Sequence, residues 1–125
     1  ASSWAHDLDN AANRKFVDAF RQAYGGRYPS LYAAFAYDAV MSMDAAVRQL
    51  GGKVSDREAL RQALAKADFQ SVRGTFKYGN NQFGIQDYYL REIGKDSAGK
   101  ITNRLQPGKI LSAHQDAYAS QCAMK

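Results

Sequence analysis

The side chains of this sequence that could do chemistry are few and scattered. His6 stands with Asp7 and Asp9, and His114 stands with Asp116, so each set holds donors that a divalent cation takes. The spacing argues against a metal. The two histidines lie at opposite ends of the chain, with no His-Glu-x-x-His or cysteine-rich pattern, and read as surface or capping residues. Hydrolysis calls for a nucleophile on a sharp turn beside a base, yet no Gly-x-Ser-x-Gly, Ser-x-x-Lys or Cys-His arrangement occurs. Gly25-Gly26 and Gly51-Gly52 are not followed by the Lys-Ser/Thr of a phosphate-cradling loop. No catalytic residue, metal or cofactor is expected. Cys122, the single cysteine, is followed only by Ala123, Met124 and Lys125. In an exported protein it points to a partner thiol elsewhere or a free thiol, and in a cytosolic one it means little.

Charge narrows the partners. Seventeen Lys and Arg against 12 Asp and Glu leave a formal +5, a balance that could serve phosphate binding. The basic residues are dispersed, however, and the longest basic run is Arg14-Lys15, so they read as a solvated surface and no nucleic acid is expected. No apolar run approaches the ~20 residues that span a bilayer. Ala1-Ser2-Ser3-Trp4 has neither a basic nor an apolar leader region, which a mature or truncated exported chain would lack as well. A 46% hydrophobic content with 12% aromatics supplies one core, and two prolines with no low-complexity stretch leave no linker. One domain, or part of one, follows.

The elements that must position these residues are legible from periodicity. Asp7, Asp9 and Asn10 precede Phe16, Val17, Phe20 and Tyr24 at helical spacing, and Gly25-Gly26 stops the run, which predicts a helix over 10–24. After Pro29-Ser30, the residues Tyr32, Phe35, Ala36, Ala39, Val40, Met43, Ala46, Val47 and Leu50 form one stripe at three- and four-residue steps up to Gly51-Gly52. This long helix is apolar over more than half its circumference and is expected to be buried on more than one side. Ser55 to Glu58 has the form of a capping box, with Val54 as its staple, before the apolar positions Leu60, Ala63, Leu64 and Ala67. From Phe69 the period becomes extended. Val72, Thr75, Phe76 and Tyr78 make a β-prone run, Gly79-Asn80-Asn81 a turn, and 86–93 a second run. The turn Asp96-Ser97-Ala98-Gly99 then joins it to 100–105 as a hairpin. Pro107-Gly108 is expected to break the chain, with a short strand at 109–111 and a short terminal helix over 113–122. Too few elements are present to cover both a helix that is apolar on most sides and strands with two apolar faces.

The successions Phe16-Val17-Asp18-Ala19-Phe20 and Tyr28-Pro29-Ser30-Leu31-Tyr32-Ala33-Ala34-Phe35-Ala36-Tyr37-Asp38-Ala39-Val40 resemble the C-terminal third of type I periplasmic solute-binding proteins of the leucine/isoleucine/valine-binding family. Ser71 to Tyr78, Asn80 to Phe83, Gln86 to Glu92 and His114 to Cys122 continue the likeness and are most similar to members that serve ABC importers for aromatic acids. The resemblance covers nearly all of the chain. It implies an α/β fold, the C-terminal part of a two-lobed protein: three helices followed by antiparallel and crossing strands, with 1–80 mainly in one lobe and 86–125 crossing toward the other.

The same resemblance implies an exported, periplasmic protein that captures a small organic acid or amino acid in the cleft between lobes and presents it to an ABC permease. Most cleft residues of the family lie in sequence ahead of this region, so the chain alone is expected not to enclose a solute. Tyr32 and Phe35, at the start of the long helix that family connectivity aims at the cleft, are the ligand-contact candidates, and Trp4 is a lesser candidate for its rim. For each the plain alternative is a core role. Cys122 is a disulfide candidate whose partner would lie in that earlier sequence. The alternative function is a free-standing helical interaction module with a β-hairpin, its apolar surface buried by self-association.

Overall fold

The structure, a computed structural model, describes residues 1–122. Three helices come first: α1 (Ala11–Ala23), α2 (Leu31–Gln49) and α3 (Arg57–Ala65). A three-stranded antiparallel sheet follows in the order β1 (Phe76–Tyr78), β2 (Gly84–Lys95), β3 (Ile101–His114). This is the succession of helices and antiparallel strands that the sequence predicts.

Local chemistry sets the helix starts. Asn10 caps α1 by accepting from the Asn13 amide, and Ser30 caps α2 by accepting from the Ala33 amide. At α3 the cap is Asp56, which accepts from the Ala59 amide, and not Ser55. The reading of a Ser55 capping box is therefore corrected by one residue. A carboxylate suits the positive end of a helix better than a hydroxyl, and the shift moves Glu58 out of reach of the cap. Glu58 instead accepts from Arg61 and Gln62, and Val54 stays exposed.

The strands depart further from expectation. β1 is only three residues long, because Val72 leaves the extended run to become a fully buried core residue. β3 runs straight through Pro107-Gly108, where a break was expected. The ladder absorbs the proline by bulging: Tyr89 pairs with Lys109 and Arg91 with Leu105, so Gln106, Pro107 and Gly108 stand opposite Leu90 alone. Gly108, at φ +85, takes the backbone conformation this bulge requires. Further irregularities between Gln86 and Tyr89 are steadied by Asp87, which accepts from the Ala113 amide at 2.8 Å and pairs with Lys109 at 2.6 Å. The expected terminal helix shrinks to a single 3-10 turn at Ala119–Gln121.

The core lies where the entry segment, α1, the first half of α2 and the middle of β2 meet. Trp4, Leu8, Phe16, Val17, Ala34, Val72 and Tyr89 form it. Asn13 holds the entry segment in place. Its amide nitrogen donates to the carbonyls of Ala5, His6 and Leu8, while its oxygen accepts from the Trp4 indole at 2.7 Å. The stripe read along α2 needs correction: of its residues only Ala46 is buried, beside Ala34, Asp38 and Ser42, while Tyr32, Val40, Met43 and Val47 are exposed. Small inward residues let neighbouring backbone approach. Asp38 then accepts from the Ser71 hydroxyl, the Val72 amide and the Arg73 guanidinium.

Candidate functional site

At the N-terminus of α2 a groove of about 200 Å³ opens between the helix start, the entry segment and the hairpin. Pro29 and Ser30 end the preceding loop, and Ser30 satisfies the Ala33 amide with its hydroxyl and the Ala34 amide with its carbonyl. The amides of Leu31 and Tyr32 precede the first intrahelical bond and have no partner among the described residues. Such a helix end favours negative charge.

The opposite wall comes from Arg91 on β2 with Thr102 and Asn103 on β3. Trp4 and Tyr28 supply aromatic surface. The Tyr28 hydroxyl donates to Asp96 at 3.0 Å, and its ring meets that of His6 edge-on, with centroids 4.1 Å apart. Burial, and next the hydrogen bond to Asp96, push the Tyr28 phenol above its usual range. The His6 side chain is 9% exposed. Its Nε2 lies 2.9 Å from the Thr102 hydroxyl, whereas Nδ1 is buried without a hydrogen-bond partner, with an Asp7 oxygen 3.4 Å away. Burial holds the His6 pKa below 6.5; Asp7 acts the other way, and the charges of Arg21 and Arg91 lower it further.

A larger groove of about 610 Å³ lies between α1 and the hairpin. Its cations Arg14, Arg21, Lys95 and Arg104 face the carboxylates of Asp7, Asp18 and Asp96, so charge is largely compensated there. The smaller groove differs: Arg91 lines it, no acidic side chain does, and no carboxylate among the described residues pairs with Arg91.

The sequence-derived candidates reach different places. Trp4 is 2% exposed and belongs to the core, with only part of its surface on the smaller groove. Tyr32 is 81% exposed and lies outside that groove, one residue beyond Leu31. Phe35 is half-buried and lines a separate cavity of about 280 Å³, with the Arg73 guanidinium 5.1 Å from its ring centroid. These residues alone do not bring the three together. His6, read as a surface or capping residue, is half-buried with its side chain largely covered, and Tyr28 and Arg91 were not singled out. An arginine among the tyrosines and aliphatics of 86–93 was the available signal.

The smaller groove thus gathers a helix start, aromatic rings and one arginine without an acidic partner among the described residues. The chain matches the family of periplasmic binding proteins over residues 1–100, and it belongs to that family. Among solved structures it resembles an ABC transporter solute-binding protein from R. palustris in complex with benzoate, with 37% identity and a TM-score of 0.78. The likeness covers 92% of this chain and 30% of that one, so the chain spans less than a third of that relative's length. No curated protein matches the sequence. Nothing in these likenesses supports the alternative of a free-standing helical module.

Proposed function

We propose that these residues serve an extracytoplasmic, periplasmic solute-binding protein that delivers a small organic acid of the aromatic-acid class to an ABC importer without chemical change. The observation that carries this reading is the likeness, over 92% of the chain, to a solute-binding protein solved with benzoate. In this reading residues 1–80 belong mainly to one lobe and residues 86–125 cross toward the other. The solute sits between lobes, and its differential affinity for the closed state drives the closure that a permease reads. Tyr32, pointing outward beside the helix start, and Phe35 one turn on would meet the solute from this lobe, with Trp4 shaping the rim. Family membership supports a binding role in place of an enzymatic one.

A chimera provides the test. Replacing the matching segment of the benzoate-bound relative by these residues should preserve its benzoate binding, and Tyr32→Ala in that chimera should weaken it at least tenfold. A folded chimera that ignores benzoate would count against the aromatic-acid reading. The 125-residue chain alone should give no micromolar binding heat with benzoate or leucine, because one wall cannot enclose a solute.

Cys122 is a half-buried thiol without a partner among the described residues. We propose that it forms a disulfide with a cysteine in sequence preceding these residues, as suits an exported protein. Peptide mapping without reductant should find the cross-link in the exported protein; a free thiol there would defeat the idea.

A further inference from the structure

We infer that the far half of the β2–β3 hairpin is a flap, latched to the rest of the fold by a cluster of side chains around His6, and that mild acid releases it. Past Tyr89 neither strand holds a buried residue, and Ile93 and Ile101, on either side of the turn, are 75% and 69% exposed. Only Leu105 packs, in part, against the core. Apolar burial therefore contributes little to keeping this segment down. Polar contacts hold it instead. Among the described residues, the hydrogen bonds that tie residues 90–105 to anything outside the hairpin join the Thr102 hydroxyl to His6 Nε2 at 2.9 Å, the Tyr28 hydroxyl to Asp96 at 3.0 Å, and the Leu105 amide to Asp7 at 2.9 Å. They converge on one place. The His6 ring meets Tyr28 edge-on at 4.1 Å, Asp7 is its chain neighbour, and the Lys100 ammonium lies 5.5 Å from the Tyr28 ring centroid.

His6 is the member of this cluster whose ordinary titration falls near neutral pH. Its Nε2 is satisfied by Thr102, while Nδ1 is buried without a hydrogen-bond partner and an Asp7 oxygen lies 3.4 Å away. A second ring proton finds an acceptor only if Asp7 turns toward it, and that carboxylate is what holds the Leu105 amide. The surroundings resist the charge as well. Burial opposes it most; Arg21 from α1 and Arg91 from β2 oppose it too, whereas Asp7 and Asp96 favour it. Asp96 is already engaged by the Tyr28 hydroxyl and by the amides of Ala98 and Lys100. Lys95 and Arg104 of the hairpin, with Arg14 and Asp18 of α1, line the adjoining groove of about 610 Å³. Lifting the flap gives the imidazolium to water, so the open form holds the proton more tightly than the latched form and acid shifts the balance toward opening. The groove, walled by His6, Tyr28, Asp96 and Thr102, widens as the flap leaves.

Backbone hydrogen exchange of the full chain, resolved by residue and corrected for the intrinsic effect of pH, is compared at pH 7.5 and pH 5.5, a range in which ordinary carboxylates, titrating at about 4, stay charged. The Leu105 amide should exchange at least about tenfold faster than the Val72 amide, which Asp38 holds in the core, as local opening requires. Its protection should fall at least about threefold from pH 7.5 to 5.5. His6→Gln should abolish that fall, and it leaves His114, paired opposite Gln86, intact. Thr102→Val should open the flap already at pH 7.5, with Leu105 exchange rising several-fold, and this variant decides the matter if the Gln variant does not fold. Leu105 protection indifferent to pH, a fall that persists in folded His6→Gln, exchange at Leu105 no faster than at Val72, or wild-type exchange in Thr102→Val would overturn the latch.

Discussion

Asp38 shows how much one side chain organises. It is 1% exposed, sits near the middle of a mostly apolar helix, and accepts three hydrogen bonds from the segment Ser71 to Arg73. Arg73 in turn stacks 4.0 Å from the Phe76 centroid and donates to Gln86, so one carboxylate ties α2 to β1 and β2. Removing one partner of a buried ion pair leaves the other charge uncompensated. Asp38→Ala should therefore cost about 3–5 kcal/mol by urea denaturation, enough to unfold a small domain of ordinary stability. A change below about 1 kcal/mol would show that the network is dispensable. His6 makes a smaller, pH-dependent contribution. Burial holds its folded pKa below 6.5, so above that value both folded and unfolded forms are neutral and its contribution is complete. As pH falls through 6.5 toward the folded pKa, the unfolded chain takes up the proton first and stability is lost. Melting curves between pH 5 and 8 should show this slope in the wild type and a shallower one in His6→Gln; equal slopes would exclude His6 as the source.

At the scale of elements, periodicity located all three helices and the hairpin because those signals are local. Asn10 and Ser30 act as caps in the structure, and Gly25-Gly26 and Gly51-Gly52, at positive φ, close the first two helices. Orientation was less legible. The stripe of large residues on α2 looked like a core face, yet the inward face is built of Ala34, Asp38, Ser42 and Ala46. Hydrophobicity alone does not reveal which side of a doubly apolar helix its own chain will cover. Pro107-Gly108 misled for a related reason: proline ends a strand only where its missing amide was needed, and a three-residue bulge removes that need. The groove itself draws on Trp4, Tyr28, Leu31, Arg91 and Thr102, five positions spread over nearly the whole chain. No motif spacing could join them.

Across the whole molecule the apolar surface is only partly covered. Val40 is 62% and Met43 55% exposed on α2, and Ile93 and Ile101 project from the hairpin. At about 25 cal/mol per Å², a few hundred Å² of such surface is worth several kcal/mol on burial. The 125-residue chain should therefore associate at low micromolar concentration, measured by light scattering with circular dichroism on the same sample. Val40→Lys with Met43→Lys should shift it toward monomer, and a compact, cooperatively melting wild-type monomer would refute the expectation. The closure of the entry segment onto the hairpin bears on a different matter, the order of events during synthesis. His6 meets Thr102 across 96 positions and the Asp7 carboxylate takes the Leu105 amide across 98. At roughly 5–20 residues per second the ribosome makes residues 2–7 wait on the order of 5–20 s for the strands they join. Over that interval Trp4 has no finished core to enter, so the entry segment settles only after the hairpin made nearly a hundred positions later.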